Sequence, residues 1–220
     1  MHGQLQTQVR ETDVNSRTPL CRIMTSYGSD KGIGRHNYTR LYYNLLAPLR
    51  DSNLRLFELG IGTNNPNLVS TMGERGKPGA SLRGWAEFFP RGEIMGADID
   101  RDILFREGRI KTFYCDQLSK DAIDMMWAQP ELSGEFDVLI EDGLHTFEAN
   151  IFFLENSLHK VRRGGYYIVE DVRQADLPRW RERLAYYSAA HSDFSFLLVR
   201  LPWMFNDSDN NLLVAKRNSK

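Results

Sequence analysis

Cysteine is nearly absent. Cys21 and Cys115 are the only two in 220 residues, which argues against a disulfide scaffold and makes a reduced, cytoplasmic setting the expectation. Missing too is any apolar run long enough to span a bilayer, and the polar stretch from Met1 to Ser16 offers nothing that would serve as a signal peptide. No membrane insertion is expected. Charge of one sign is not in excess either: 28 basic residues face 29 acidic ones, for a formal net charge of −1, so no overall field draws the chain to nucleic acid. Internal repeats and low-complexity tracts are lacking as well. What is left has the length of one ordinary domain, able to bury a core of its own. Residues 1–16, rich in Gln, Thr, Glu and Asn, read as a loose N-terminal arm, and residues 17–220 as the folded domain.

Short apolar runs alternate with helical stretches along that domain. Between Thr39 and Leu49 apolar and aromatic residues recur at helical spacing, and Pro48 with Asp51-Ser52-Asn53 closes the segment. Strands are expected at Arg55–Leu59, Glu93–Ala97, Thr112–Cys115, Phe136–Ile140 and Gly165–Val169. Helices are expected at Ser81–Phe89, Lys120–Ala128 and Phe147–Val161, and the last third adds a helix over Pro178–Ala190 with extended segments at Phe194–Leu201 and Asn211–Ala215. Strand-helix-strand repeats of this kind imply right-handed crossovers. The expected fold is a single-domain, doubly wound, Rossmann-like α/β sheet of about seven strands, mainly parallel with an antiparallel C-terminal strand. The turn-rich segment 63–78 interrupts the pattern at the end of the first strand, where a lid or substrate wall is a better reading than a surface insertion.

The chemistry concentrates at strand ends. Phe57-Glu58-Leu59-Gly60-Ile61-Gly62 runs a strand into a Gly-x-Gly turn, which lets a ligand approach bare backbone. The dinucleotide fingerprint is incomplete, because Asn65 stands at the third glycine position and the next helix begins only near Gly79, with Ser81 as its N-cap. Asp98, closing the second strand, is placed to accept both hydroxyls of a ribose, while Asp100 reads as a helix cap. Asp116 closes the third with Gln117 beside it; it can take an adenine amino group or cap the helix starting near Ser119. Glycine turn, Asp98 and Asp116 at successive strand ends outline an adenosine pocket. Leu139-Ile140-Glu141-Asp142-Gly143-Leu144-His145 and Tyr167-Ile168-Val169-Glu170-Asp171 then end two more strands in acids. Asp142, Glu170 and Asp171 offer hard oxygen ligands to a divalent cation such as Mg²⁺, and His145 has the ordinary pKa of a proton acceptor. Upstream, Tyr27-Gly28-Ser29-Asp30-Lys31-Gly32 and His36-Asn37-Tyr38-Thr39 form a polar segment that either folds over the pocket, Lys31 or His36 reaching an acidic group, or is a capped loop.

These motifs, in this order, resemble those of metal-dependent class I S-adenosylmethionine sugar O-methyltransferases, the macrolide-sugar enzymes of the mycinamicin and macrocin type. The likeness covers about residues 25 to 172 and includes Ser29-Asp-Lys31, His36 and Tyr38-Thr39. It implies an S-adenosylmethionine-dependent methyltransferase domain in which Asp142, Glu170 and Asp171 hold Mg²⁺ and His145, with Asp142, carries the catalysis as general base. Glu58, Gly60 and Gly62 would shape the methionine end of the cofactor site, Asp98 would hold the ribose and Asp116 the adenine; Ser81, Gln117, Tyr38 and Thr39 are counted with the cofactor contacts. Those macrolide enzymes carry an extra N-terminal domain for which this chain has no room, so a saccharide or glycosylated small molecule is the expected acceptor. Two rival readings stand beside this one: an NAD- or nucleotide-sugar-dependent oxidoreductase, disfavoured by the broken glycine fingerprint, and a non-catalytic adenosine-binding subunit. Homo-oligomerisation is left open.

Overall fold

The computed structural model describes residues 17–32 and 34–220; the arm read over residues 1–16 lies outside the described residues. Its strands are β1 (Arg55–Leu59), β2 (Glu93–Asp98), β3 (Arg106–Glu107), β4 (Ile110–Tyr114), β5 (Phe136–Glu141), β6 (Val161–Val169), β7 (Phe194–Arg200) and β8 (Asn211–Arg217). They form one eight-stranded sheet in the order β3-β4-β2-β1-β5-β6-β8-β7. The run from β4 to β6 is parallel, and β8 and β7 close the sheet antiparallel. This is the expected Rossmann-like architecture with one strand more than foreseen. The extra one is the two-residue β3, which folds back on β4 and is too short to leave a sequence period.

Side-chain alternation along the strands builds two cores. Phe57 and Leu59 of β1, Leu139 of β5 and Tyr167 of β6 face α4 (Lys120–Trp127), α5 (Phe147–Ser157) and α6 (Leu177–Ala190). Leu56, Ile140 and Ile168 face the opposite way, onto α1 (Pro19–Tyr27), α2 (Tyr38–Leu46) and α3 (Ala80–Phe88). A parallel sheet covered on both faces needs apolar residues at nearly every position, which is why these strands read as mainly apolar runs, interrupted by Glu58 in β1 and Asp137 in β5. No described helix is long and apolar enough to cross a membrane.

Helix α1 was not expected. Its signals are local: Thr18 caps it by accepting from the Cys21 N–H at 3.1 Å, Pro19 sits at its first turn, and Gly28, at φ 85°, ends it in the left-handed conformation. The predicted helix Phe147–Val161 stops early, at Ser157. A short 3-10 turn, Leu158–Lys160, follows, and Val161 already belongs to β6. With no Gly or Pro at that junction, the boundary leaves no mark in the sequence.

Candidate active site

The strand register gathers the acids. Glu58 lies level with Ile140 and Ile140 with Ile168, and the ladder continues as Leu59 O accepts from Asp142 N at 2.9 Å and Glu141 O from Glu170 N at 2.9 Å. By the two-residue period, Glu58, Asp142 and Glu170 therefore share the face covered by α1, α2 and α3, the latter two one step nearer the sheet's carboxyl edge. Lys31, from the segment between α1 and α2, is buried among them. Its Nζ donates to Asp142 Oδ2 at 2.5 Å and Glu170 Oε2 at 2.8 Å, and lies 3.4 Å from Glu58 Oε1. Tyr42 of α2 donates to Glu170 Oε1 at 2.5 Å. Ser81 and Trp85 of α3 donate to the two oxygens of Glu58 at 2.6 and 2.7 Å.

One ammonium does not balance this much buried negative charge. Burial, more than any other cause, lifts the Asp142 and Glu170 carboxyls above the ordinary range; Lys31 pulls both down, while Asp171 and neighbouring acids push them up, Glu170 reaching about 8. For Lys31, burial disfavours the charge, but Asp142, Glu170 and Glu58 outweigh it and hold the ammonium well above its usual value.

Beside this cluster lie two left-handed residues that are not glycine, His145 at φ 57° and Asp171 at φ 52°. Such strain concentrates at functional turns, and here it bends two strand exits toward each other. His145 Nδ1 lies 3.6 Å from Asp171 Oδ2 and 3.9 Å from Asp142 Oδ1. It is buried without a hydrogen-bond partner among the described residues. Donor atoms of Asp142, His145 and Asp171 all lie within 4.8 Å of one another. Burial also keeps the His145 imidazole below its ordinary pKa, against the pull of Asp171, so it is neutral at pH 7. The two carboxylates at these separations offer oxygen donors that fit a hard divalent cation, while the ring nitrogen beside them is a softer donor.

Behind Asp171 stands a second layer. Tyr38 donates to its Oδ1 at 2.7 Å, and His36 Nε2 lies 3.5 Å from the same oxygen. Asn210, in the segment joining β7 to β8, has its Oδ1 3.1 Å from His36 Nδ1 and donates to Asn37 at 2.8 Å.

The cavity in front, of about 310 Å³, is lined by Glu58, Gly60, Gly62, Ser81, Asp98, Asp142, His145 and Asp171, with Lys31 at its wall. A slot of about 80 Å³ continues it over Ile99, Asp116, Gln117, Leu118 and Leu144, sharing Gly60, Asp98 and Gly143 with it. Asp98 accepts from Ile61 N at 2.9 Å and Asp100 N at 3.0 Å, one on each carboxylate oxygen, and burial lifts it above the ordinary carboxylate range against those backbone bonds. Asp100 caps a short 3-10 turn by accepting from Asp102 N at 3.0 Å. Asp116 accepts from Leu118 N at 2.9 Å, while Ser119, not Asp116, caps α4. Gln117 lies in the slot but is committed to Glu141 at 2.7 Å and Leu144 N at 2.9 Å. Burial raises Glu141 to about 7, although Gly143 N–H and Gln117 oppose this.

Some expected contacts fall elsewhere. Tyr38 and Thr39 do not line the cavity: both are fully buried at the start of α2, Tyr38 behind Asp171 and Thr39 against Cys21 Sγ at 2.8 Å. Ser81 does not cap α3, because the helix already begins at Ala80 with Gly79 as its N-cap; its hydroxyl goes to Glu58 instead. Glu170 joins the acidic cluster from the Lys31 side, both oxygens already bonded. Lys31 reaches acids as one reading had it. Tyr42 and Trp85 were not foreseen as site residues, since an aromatic at helical spacing reads as core; only their polar tips do otherwise.

Gly60 shows how tightly the two strand exits pack. It has φ 80°, and an added Cβ would fall 1.9 Å from Asp142 O. Gly60→Ala is therefore expected to destabilise the fold by about 3 kcal/mol or more, through left-handed strain and displacement of the Asp142 turn. Thermal unfolding checks this; an unchanged midpoint would contradict the packing.

No family model matches the chain. It is 32% identical over 164 residues to L-olivosyl-oleandolide 3-O-methyltransferase of Streptomyces antibioticus, covering 74% of this chain and 40% of that protein. With the mycinamicin VI 2''-O-methyltransferase of Micromonospora griseorubida it shares 34% over 166 residues, 74% of this chain and 38% of the relative. Among solved structures, the MycE methyltransferase from the mycinamycin biosynthetic pathway, in complex with Mg and SAH, superposes with a TM-score of 0.71 at 25% identity, covering 92% of this chain and 56% of that one. The chain thus spans about two fifths of the length of the curated relatives it matches. The resemblance read from the motifs is borne out over about three quarters of the chain.

Proposed function

We propose that this chain, akin over three quarters of its length to sugar O-methyltransferases, moves a methyl group from S-adenosylmethionine to a hydroxyl of a saccharide with the help of Mg²⁺. The observation that carries the reading is the meeting of Asp142, His145 and Asp171 at one point, on the wall of the cavity that Glu58, Gly60 and Asp98 also line. A cation there would supply the charge that favours an ionised hydroxyl, and the cofactor would supply a methyl group on a good leaving group.

The chain's own tasks are holding, orienting and taking a proton. Asp142 and Asp171 would provide the oxygen ligands, and Glu170 adjoins them through the Lys31 ammonium it shares with Asp142. Oxygen is the preferred donor for Mg²⁺, which leaves the His145 imidazole free as proton acceptor. Asp98 takes the ribose hydroxyls on its carboxylate, Asp116 the adenine amino group, and Gly60 and Gly62, which line the cavity, face the methionine end.

Labelled methyl transfer onto a panel of saccharides and nucleotide sugars, with EDTA and then with Mg²⁺ restored, tests the reading. Transfer should vanish on chelation and return with the ion. Tight uptake of NAD with no uptake of S-adenosylhomocysteine would instead favour an oxidoreductase. Asp98→Ala should weaken S-adenosylhomocysteine at least about tenfold, since bonds to a charged acceptor contribute about 1.5–3 kcal/mol; calorimetric titration measures it, and unchanged affinity would remove Asp98 from the cofactor site.

A further inference from the structure

The cavity is electrically two-sided. Its inner wall carries Glu58, Asp98, Asp142 and Asp171, and the cation among them, Lys31, is taken up by Asp142, Glu170 and Glu58. Its rim carries Arg35, Arg75 and Lys77, all exposed. Among the described residues no carboxylate lies within ion-pair distance of these three; other exposed arginines such as Arg163, Arg181 and Arg200 also stand without an acid, but Arg35, Arg75 and Lys77 are the ones that border the cavity. Asp30, the exposed acid among the described residues that line the cavity, lies instead 3.9 Å from His36 Nε2.

The rim cations come from two distant segments that meet. Arg35 precedes α2, while Arg75 and Lys77 belong to the loop 63–78. Lys77 crosses to Gly28, where an added Cβ would meet its Cδ at 2.9 Å. Unpaired positive charge beside a site that is to take a cation and a sulfonium is unfavourable unless an anion arrives with the substrate. The cofactor brings a single carboxylate, which can engage one of the three. Guanidinium groups fork onto phosphate or carboxylate oxygens in pairs, and a neutral sugar offers neither.

We propose that the acceptor is an anionic saccharide, its phosphate or carboxylate held at the rim by Arg35 and Arg75 while a sugar hydroxyl reaches His145. This rests on the methyl-transfer reading and names its acceptor class. The rim also draws such acceptors in from solution, an attraction that salt weakens.

Two arms separate this proposal from the reading beneath it. In the first, UDP, glucuronate and glucose are titrated calorimetrically into the protein saturated with S-adenosylhomocysteine. UDP or glucuronate should bind and glucose should not, and Arg35→Gln with Arg75→Gln should weaken the anion at least about tenfold while S-adenosylhomocysteine affinity holds. Binding of UDP alone assigns the rim to phosphate, of glucuronate alone to carboxylate. The proposal is overturned if neither anion binds, if glucose binds as well as they do, or if the double variant loses S-adenosylhomocysteine instead, which would give the cations to the cofactor. In the second arm, methyl transfer to UDP-glucose, to oligogalacturonate and to neutral methyl glycosides is compared. The double variant should raise KM for the anionic acceptors with kcat kept, and neutral methyl glycosides should be poor acceptors for the wild type already; transfer to neutral glycosides as efficient as to the anionic acceptors overturns the proposal. Anion binding without transfer to any acceptor would sink the methyl-transfer reading and leave the rim site standing.

Discussion

His145→Ala is expected to lower kcat for methyl transfer about 10²- to 10⁴-fold, the range a positioned general base contributes, with little change in cofactor affinity. Burial keeps the imidazole neutral near pH 7, so it is ready to accept a proton. Its ring is 34% exposed with Nδ1 turned to Asp142 and Asp171, so the opposite edge is the part an acceptor can meet. Nδ1 makes no hydrogen bond among the described residues, and Nε2, on the open edge, is the nitrogen assigned to the base. The competing role is that of a metal ligand, since Nδ1 also belongs to the donor set. The two roles part in the magnesium dependence: a lost base lowers kcat at every Mg²⁺ concentration, whereas a lost ligand is rescued by excess ion. Rescue to near wild-type rate, or a rate never lost, would remove His145 from proton transfer.

The sequence displayed the sheet more plainly than the site. Strands such as Phe136–Glu141 are buried on both faces, and a mainly apolar run ending in acids is hard to read otherwise. The acids at strand ends were visible for the same reason: a pair of charges closing such a run marks the strand's carboxyl end, where a ligand crevice lies. Their partners were not. Lys31 stands 111 residues from Asp142 and 139 from Glu170, and no local period encodes contacts at that separation. Tyr42 and Trp85 hide in amphipathic stripes, where packing and hydrogen bonding use the same residue. Asp116 was undecided between base recognition and capping because an Asx turn and a helix cap draw on the same side chain; Ser119 took the cap. The unexpected helix α1 could have been found, since Thr18-Pro19 and Gly28 bracket it with standard start and stop residues.

Lys31→Met should be the most damaging single change to the fold among the site residues. Methionine fills nearly the same volume, so the loss is one of charge. Asp142, Glu170 and Glu58 would then surround an apolar group, the first two with no ammonium at 2.5 and 2.8 Å. Removing one partner of a buried ionic cluster costs about 3–5 kcal/mol, because the others stay buried uncompensated. For a chain of this size each kcal/mol lowers the unfolding midpoint by about 2–4 °C, so a fall of about 6–20 °C is expected. Millimolar Mg²⁺ should recover more of the midpoint in the variant than it adds to the wild type, because the ion then meets carboxylates with no competing ammonium. Lys31→Arg is the informative companion. It keeps the charge but spreads it over a planar fork that cannot sit as a point among three acids, so it should fall between the two. A midpoint unchanged in Lys31→Met would mean that the acids settle their charge by taking up protons, and that the ammonium is dispensable to the cluster.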